Sequence, residues 1–186
     1  MIARLAPSEG IEVIHVVRRD EQAQLLRDIG ANHIVVSGTD ADADDSAWKK
    51  ELRSKVDELG ATVAFDAVSG ASTGDMLDAL PRKGTTYLYG GLAGRAANID
   101  PMHLIYSQKK LKGFLVTNWI KEGGLIAMGR RILAAAKRVN EGLGEGGWSC
   151  SQFLDTTMEC AQEDLVALLG SGKSTGKKLR IRFDKA

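Results

Sequence analysis

Short apolar runs rich in β-branched residues recur along the chain as far as Trp119, separated by stretches whose apolar residues return every three or four positions. The runs Glu12–Val17, His33–Val36, Thr62–Val68, Thr85–Gly90 and Leu111–Thr117 predict strands covered on both faces. Between them the periodicity is helical. Asp20 opens one helix with Ala23, Leu26 and Ile29 on a face and Gly30 at its end. Ser46 is placed to cap a second, in which Trp48, Leu52, Val56 and Leu59 form a stripe before Gly60. Ala71–Leu80 is shorter, stopped by Pro81 and Gly84. Only a short helical segment precedes the first strand. Beyond Trp119 the strand rhythm stops, and a long helix carries Leu125, Met128, Ile132, Ala136 and Val139 on one stripe. A glycine-rich loop, Gly142–Gly147, follows, then a helix with Met158, Ala161, Leu165 and Leu168. The closing Lys178–Phe183 alternates strictly and predicts a strand with one wet face.

Composition changes this picture little. The 186 residues are 44% hydrophobic and 26% charged, ordinary for a soluble globular chain with one core. A net charge of +1 argues against a nucleic-acid partner, whose affinity rests on many phosphate contacts. No apolar run approaches the ~20 residues of a membrane span, and Met1–Ala6 is broken by Pro7 too early for a secretory signal. Cys150 and Cys160 show neither CxxC nor ligand spacing and read as free thiols in a reducing compartment.

Strand–helix alternation of this kind implies an α/β fold with a parallel, doubly wound sheet. The run Val13–Asp20 is a buried strand ending in two arginines and a helix start, as in the second βα unit of a dinucleotide-binding domain. In such a domain, with strand order 3-2-1-4-5-6, the first strand is central, and the turn after it grips the pyrophosphate. Neither is found ahead of Val13, so the expected architecture is an incomplete Rossmann fold: residues 1–141 a partial dinucleotide-binding domain, 142–186 a carboxy-terminal helix and strand. Two strands then lose their shared neighbour. The expectation is a chain unstable alone or aggregating through strand edges.

Three motifs look sharper than they are. Ala167–Ser174 matches a relaxed phosphate-loop pattern, but a helix precedes it and a strand follows, the reverse of what a phosphate loop needs. An ATP site is therefore the minor reading beside a basic turn. Asp40, Asp42, Asp44 and Glu51 have calcium-loop spacing, but Asp45 stands where glycine is required. His15, His33 and His103 are scattered and read as structural or exposed.

Several segments together carry a family resemblance, in order along nearly the whole chain: Val16-Val17-Arg18-Arg19, Phe65-Asp66-Ala67-Val68-Ser69-Gly70, Tyr89-Gly90-Gly91-Leu92-Ala93-Gly94, Leu104-Ile105-Tyr106, Leu111-Lys112-Gly113-Phe114, Thr117-Asn118-Trp119 and Thr175-Gly176-Lys177. The chain resembles the carboxy-terminal half of a medium-chain dehydrogenase/reductase. Within that superfamily it is most similar to the zinc-free, NADPH-dependent branch of quinone oxidoreductases and mitochondrial-type trans-2-enoyl-thioester reductases. The resemblance implies an amino-terminal catalytic domain holding the family's tyrosine, so no residue here inherits a catalytic role and no metal site is expected.

At the end of the first predicted strand, Val17 stands where an acidic residue would bind a ribose hydroxyl. Arg18 and Arg19 follow and suit a 2′-phosphate, favouring NADPH. The plainer reading is a solvated loop at a helix start. Gly90 and Gly91 permit close approach of a nicotinamide, or form an ordinary tight turn. The resemblance further implies that Val68, Gly70, Tyr89, Leu92, Phe114, Leu115 and Val116 surround the nicotinamide end and that Lys177 reaches a phosphate or ribose. For the apolar ones, core packing alone is the competing role. It also implies a small-molecule substrate, a homodimer formed through strand 111–116 at a sheet edge, and the cytoplasm or mitochondrial matrix. The expected function is hydride transfer to a conjugated carbonyl such as an enoyl thioester or quinone. The alternative is a non-catalytic cofactor-binding or assembly module.

Overall fold

The computed structural model describes residues 2–38, 46–143, 152–170 and 177–183. The chain divides into two compact units, Ile2–Ala135 and Ala136–Ala186. In the first unit a short helix, α1 (Ile2–Ser8), leads to β1 (Ile14–Val17), α2 (Asp20–Arg27) and β2 (His33–Val36). Then come α3 (Ser46–Leu59), β3 (Val63–Asp66), α4 (Ala71–Ala79), β4 (Thr85–Leu88), α5 (Pro101–Ile105), β5 (Lys110–Gly113), α6 (Val116–Lys121) and the start of α7 (Gly124–Leu143).

The strands pair in parallel as two separate sheets, β1–β2 and β3–β4–β5. Mapped onto a doubly wound sheet, these are strands 3-2 and 4-5-6, and among the described residues no strand joins β1 to β3. The fold is thus a Rossmann-like α/β layer with its centre open. Helix α3 holds the unit together. Its stripe of Trp48, Leu52 and Val56 is buried with Val35, Ala79 and Leu80, while Ile14 and Val16 of β1 and Ala64 of β3 pack on the same cluster. One helix therefore covers strands of both sheets. Helix α3 stops where read, at Leu59 before Gly60, whereas α2 ends at Arg27 and leaves Ile29 outside it. Gly30 (φ +87°) and Gly60 (φ +63°) take the left-handed conformation, and the amides of Ala31 and Ala61 return to the carbonyls of Leu26 and Val56.

Several expectations are corrected. Except for His33–Val36, which is β2 over its whole length, the strands are shorter than their apolar runs, and Ser46 is the first residue of α3 rather than its cap. The three-stranded sheet is not covered on both faces: Val63 and Phe65 are 47% and 61% exposed, with Phe65 stacked on Tyr87 at 5.6 Å. The run Leu111–Thr117 stops being a strand at Gly113. The last ladder bond joins the Phe114 amide to the Leu88 carbonyl (2.7 Å), after which β4 ends. With no partner beyond, Leu115 caps α6, which begins at Val116. Helix α5, capped by Asp100 with Pro101 in its first turn, carried a readable start signal that periodicity alone overlooked. The α7 stripe is largely solvent-facing, Leu125 being 80% and Ile132 47% exposed.

The second unit holds a strand the reading missed. β6 (Gln152–Thr156) pairs in parallel with β7 (Lys177–Ile181), on either side of α8 (Ala161–Gly170). Its five residues hold too few apolar positions to stand out, and its pairing is closed by Asp155, which accepts from Arg180 Nε at 2.6 Å and Nη2 at 2.9 Å. Met158 lies outside α8, and Gly142 lies inside α7. The phosphate-loop look-alike does run from a helix toward a strand, although residues 171–176 lie outside the described residues. So do Cys150, Asp40, Asp42, Asp44, Asp45 and most of the glycine loop 142–147. Glu51 is inside α3. Cys160 is a free, exposed thiol.

Candidate functional site

In open parallel sheets, ligands bind at the carboxyl ends of the strands. The buried carboxylate of Asp66, 2% exposed, organises that end of β3–β4–β5. Its Oδ1 accepts from the amides of Val68 (2.8 Å) and Ser69 (3.1 Å), and its Oδ2 from Thr73 Oγ1 (2.7 Å). Ser69 (φ +67°) and Gly70 (φ +87°) are both left-handed, so the chain reverses within two residues to start α4. The neighbouring loop locks onto this turn: the amides of Tyr89, Leu92 and Ala93 donate to the carbonyls of Asp66, Ala67 and Val68 at 3.0, 3.2 and 2.8 Å, and Asn98 donates to Gly70 at 3.2 Å.

Gly90 and Gly91 are not equivalent. A Cβ on Gly90 would lie 2.6 Å from the Ala67 carbonyl oxygen, whereas one on Gly91 would meet nothing within 4 Å. Gly90→Ala is expected to destabilise by about 1–3 kcal/mol, because backbone must give way. Gly91→Ala is expected to leave the melting temperature unchanged in a thermal denaturation series. Equal effects would show that the close approach is not what requires glycine.

An open cleft of about 1140 Å³ lies between these loops and the segment after β5, lined by Tyr89, Gly90, Phe114, Leu115, Asn118 and Trp119. Arg131 fixes its far wall, lying 5.3 Å over the Trp119 ring and donating to the Trp119 carbonyl at 2.6 Å and to the Glu122 carbonyl. Leu92 and Val116 are exposed beside it, 82% and 51%. Thus Val68, Gly70, Tyr89, Gly90, Gly91, Leu92, Phe114, Leu115 and Val116 all gather at one end of the three-stranded sheet.

Arg18 and Arg19 are a separate group at the carboxyl end of β1. Their amides both donate to Gln22 Oε1 at 3.1 Å, which closes the start of α2 and leaves the Arg18 side chain exposed. Lys177 opens β7 in the other unit, and its side chain lies outside the described residues. The site residues the sequence reading missed are Asp66, Asn118 and Trp119. Each sat within a quoted motif, but nothing local distinguishes a buried acceptor from an exposed one.

Two of the histidines sit beside a carboxylate. His33 Nε2 lies 3.2 Å from Glu12 and His103 Nε2 3.0 Å from Asp78. Burial holds the His15 imidazole below its ordinary range. Among the described residues no three His, Cys, Asp or Glu side chains are grouped to hold a metal ion, so they do not fit a zinc site. No helix among them is long and apolar enough to cross a membrane.

Comparison with known proteins agrees with this architecture. Residues 1–129 match the zinc-binding dehydrogenase family. A mitochondrial enoyl-[acyl-carrier-protein] reductase of Xenopus tropicalis is 33% identical over 126 residues, covering 65% of this chain and 34% of the relative. The crystal structure of a protein described as an NADPH:quinone reductase from Mesorhizobium loti superposes with a TM-score of 0.72 at 30% identity, covering 98% of this chain and 49% of that one. An enoyl thioester reductase from Candida tropicalis shares the fold at a TM-score of 0.63 and 18% identity, covering 95% and 49%. The chain therefore spans about half the length of those solved structures and 34% of the Xenopus relative. It belongs to the zinc-binding dehydrogenase family and corresponds to the carboxy-terminal half of a medium-chain dehydrogenase/reductase.

Proposed function

We propose that this chain is the nucleotide-holding part of an NADPH-dependent reductase that acts on a conjugated carbonyl, an enoyl thioester or a quinone. The observation that carries the reading is Val17-Arg18-Arg19 at the carboxyl end of β1. There a carboxylate would repel a 2′-phosphate, whereas two guanidinium groups each add about 1.5–3 kcal/mol of charge-assisted hydrogen bonding. Bound NADPH supplies the hydride. The chain's own residues position it: Gly90 and Gly91 present bare backbone to the nicotinamide, while Tyr89, Leu92, Phe114, Leu115 and Val116 exclude water around it, with Val68 and Gly70 behind. The names of the relatives support a mitochondrial matrix location. The edge position of β5 supports a dimer paired through that strand.

The test is nucleotide affinity in a protein in which a strand and glycine turn are joined ahead of α1. NADPH is expected to bind at least tenfold more tightly than NADH, with Arg18→Ala abolishing most of the difference; equal affinities would end the assignment. The alternative reading is a non-catalytic cofactor-binding or assembly module. A reading frame running upstream into a strand and glycine turn would favour the reductase.

A further inference from the structure

A second polar cavity lies at the opposite, amino-terminal end of β4 and β5, a strand length from the cleft described above. It encloses about 300 Å³ between α3, the end of α4, the turn before β4, α5 and the residue before β5, and its charged lining is Arg53, Asp57, Asp78, Arg82, His103 and Lys109. That volume is at the lower end of the range for small-molecule pockets.

The balance of charge within it is uneven. The Asp78 carboxylate is already spent, accepting from Arg53 Nη2 at 2.5 Å and lying 3.0 Å from His103 Nε2. Lys109 is only 8% exposed, yet among the described residues its ammonium makes a single hydrogen bond, to the Asp78 carbonyl at 2.8 Å. No carboxylate among the described residues lies within ion-pair distance of it. A buried ammonium with three N–H donors and one acceptor is incompletely satisfied, and burial pushes it below the ordinary lysine range, with Asp78 opposing and Arg53 reinforcing. Arg82 also lines the cavity, is exposed, and has no side-chain partner among the described residues. Against these two cations the lining offers Asp57, whose carboxylate has no ion-pair partner among the described residues; it lies four residues beyond Arg53 on α3 and is suited to a hydroxyl rather than an oxyanion.

We propose that this cavity is an anion site for a small phosphate ester, with the phosphate between Lys109 and Arg82 and a ligand hydroxyl on Asp57. The two spare Lys109 donors and the Arg82 fork match phosphate oxygens in number and charge. The site is independent of the nucleotide reading, because none of its residues lies at the carboxyl end of a strand.

The test is ³¹P NMR titration of the 186-residue chain with inorganic phosphate and with glycerol 3-phosphate, with chloride holding ionic strength constant. Both probes are expected to bind, the ester at least threefold more tightly because of Asp57. Lys109→Met keeps the buried stem but removes the charge, and is expected to weaken both at least tenfold. Arg82→Ala removes an exposed side chain that makes no hydrogen bond or ion pair among the described residues; it is expected to weaken both about fivefold. Both variants are made on an Arg18→Ala background, so that the phosphate-binding pair proposed at the end of β1 does not contribute. Absence of Lys109-dependent binding by the folded chain, or unchanged binding in Arg82→Ala, would each overturn the proposal. Equal affinity of the two probes would overturn the role of Asp57.

Discussion

Joining one alternating apolar strand ahead of α1 is expected to raise the melting temperature of the chain by about 10–20 °C and to suppress its self-association. The expectation rests on the open centre between β1 and β3. A strand seated there would complete roughly four to eight backbone hydrogen bonds at about 1 kcal/mol each. That is a large share of the ~5–15 kcal/mol by which a domain is stable, and for a chain of this length each kcal/mol moves the transition by about 2–4 °C. It would also blunt two strand edges that otherwise offer templates for another chain. Helix α3, already packed on strands of both sheets, holds the two edges about a common core, so the added strand need not reorganise the unit. Differential scanning calorimetry and sedimentation velocity would read both effects. A cooperative, monomeric transition in the unextended chain, unmoved by the added strand, would show that the sheet's centre needs no filling.

Asp66→Ala is expected to cost about 3–5 kcal/mol. The substitution leaves two amides and a threonine hydroxyl without their acceptor, and each buried donor left unmade costs about 1–3 kcal/mol. Because the turn that Asp66 shapes also receives the amides of Leu92 and Ala93, the loss spreads to the loop bearing Gly90 and Gly91. Asp66→Asn keeps one acceptor oxygen and should lose about half as much. Urea denaturation of the two variants would measure the difference. An alanine variant within 1 kcal/mol of the parent, an order-of-magnitude threshold for surface substitutions, would show that water replaces the carboxylate.

The elements were legible where local pattern and tertiary environment agree. Gly30 and Gly60 end helices because only glycine enters the left-handed region without strain, and that requirement is written in the residue itself. The Trp48, Leu52 and Val56 stripe names a buried face before any partner is known. Legibility failed where a partner decides. The run Leu111–Thr117 reads as one strand, yet it leaves the sheet after Gly113 and is helical from Val116, because β4 stops offering ladder partners at Leu88. β6 has little apolar signal and exists through pairing with β7.

The same division runs through the candidate sites. Sequence alone determined the α/β alternation, the parallel sheet and the two-arginine strand end, because periodicity, glycine placement and charge are properties of short segments. Only the tertiary structure decided that Asp66 is a buried acceptor, that the cleft gathers residues from the ends of β4 and β5 and the segment beyond β5, and that Lys109 sits among other cations with donors to spare. Those depend on which surfaces meet, and burial and pairing belong to the neighbours a residue acquires when the chain closes on itself.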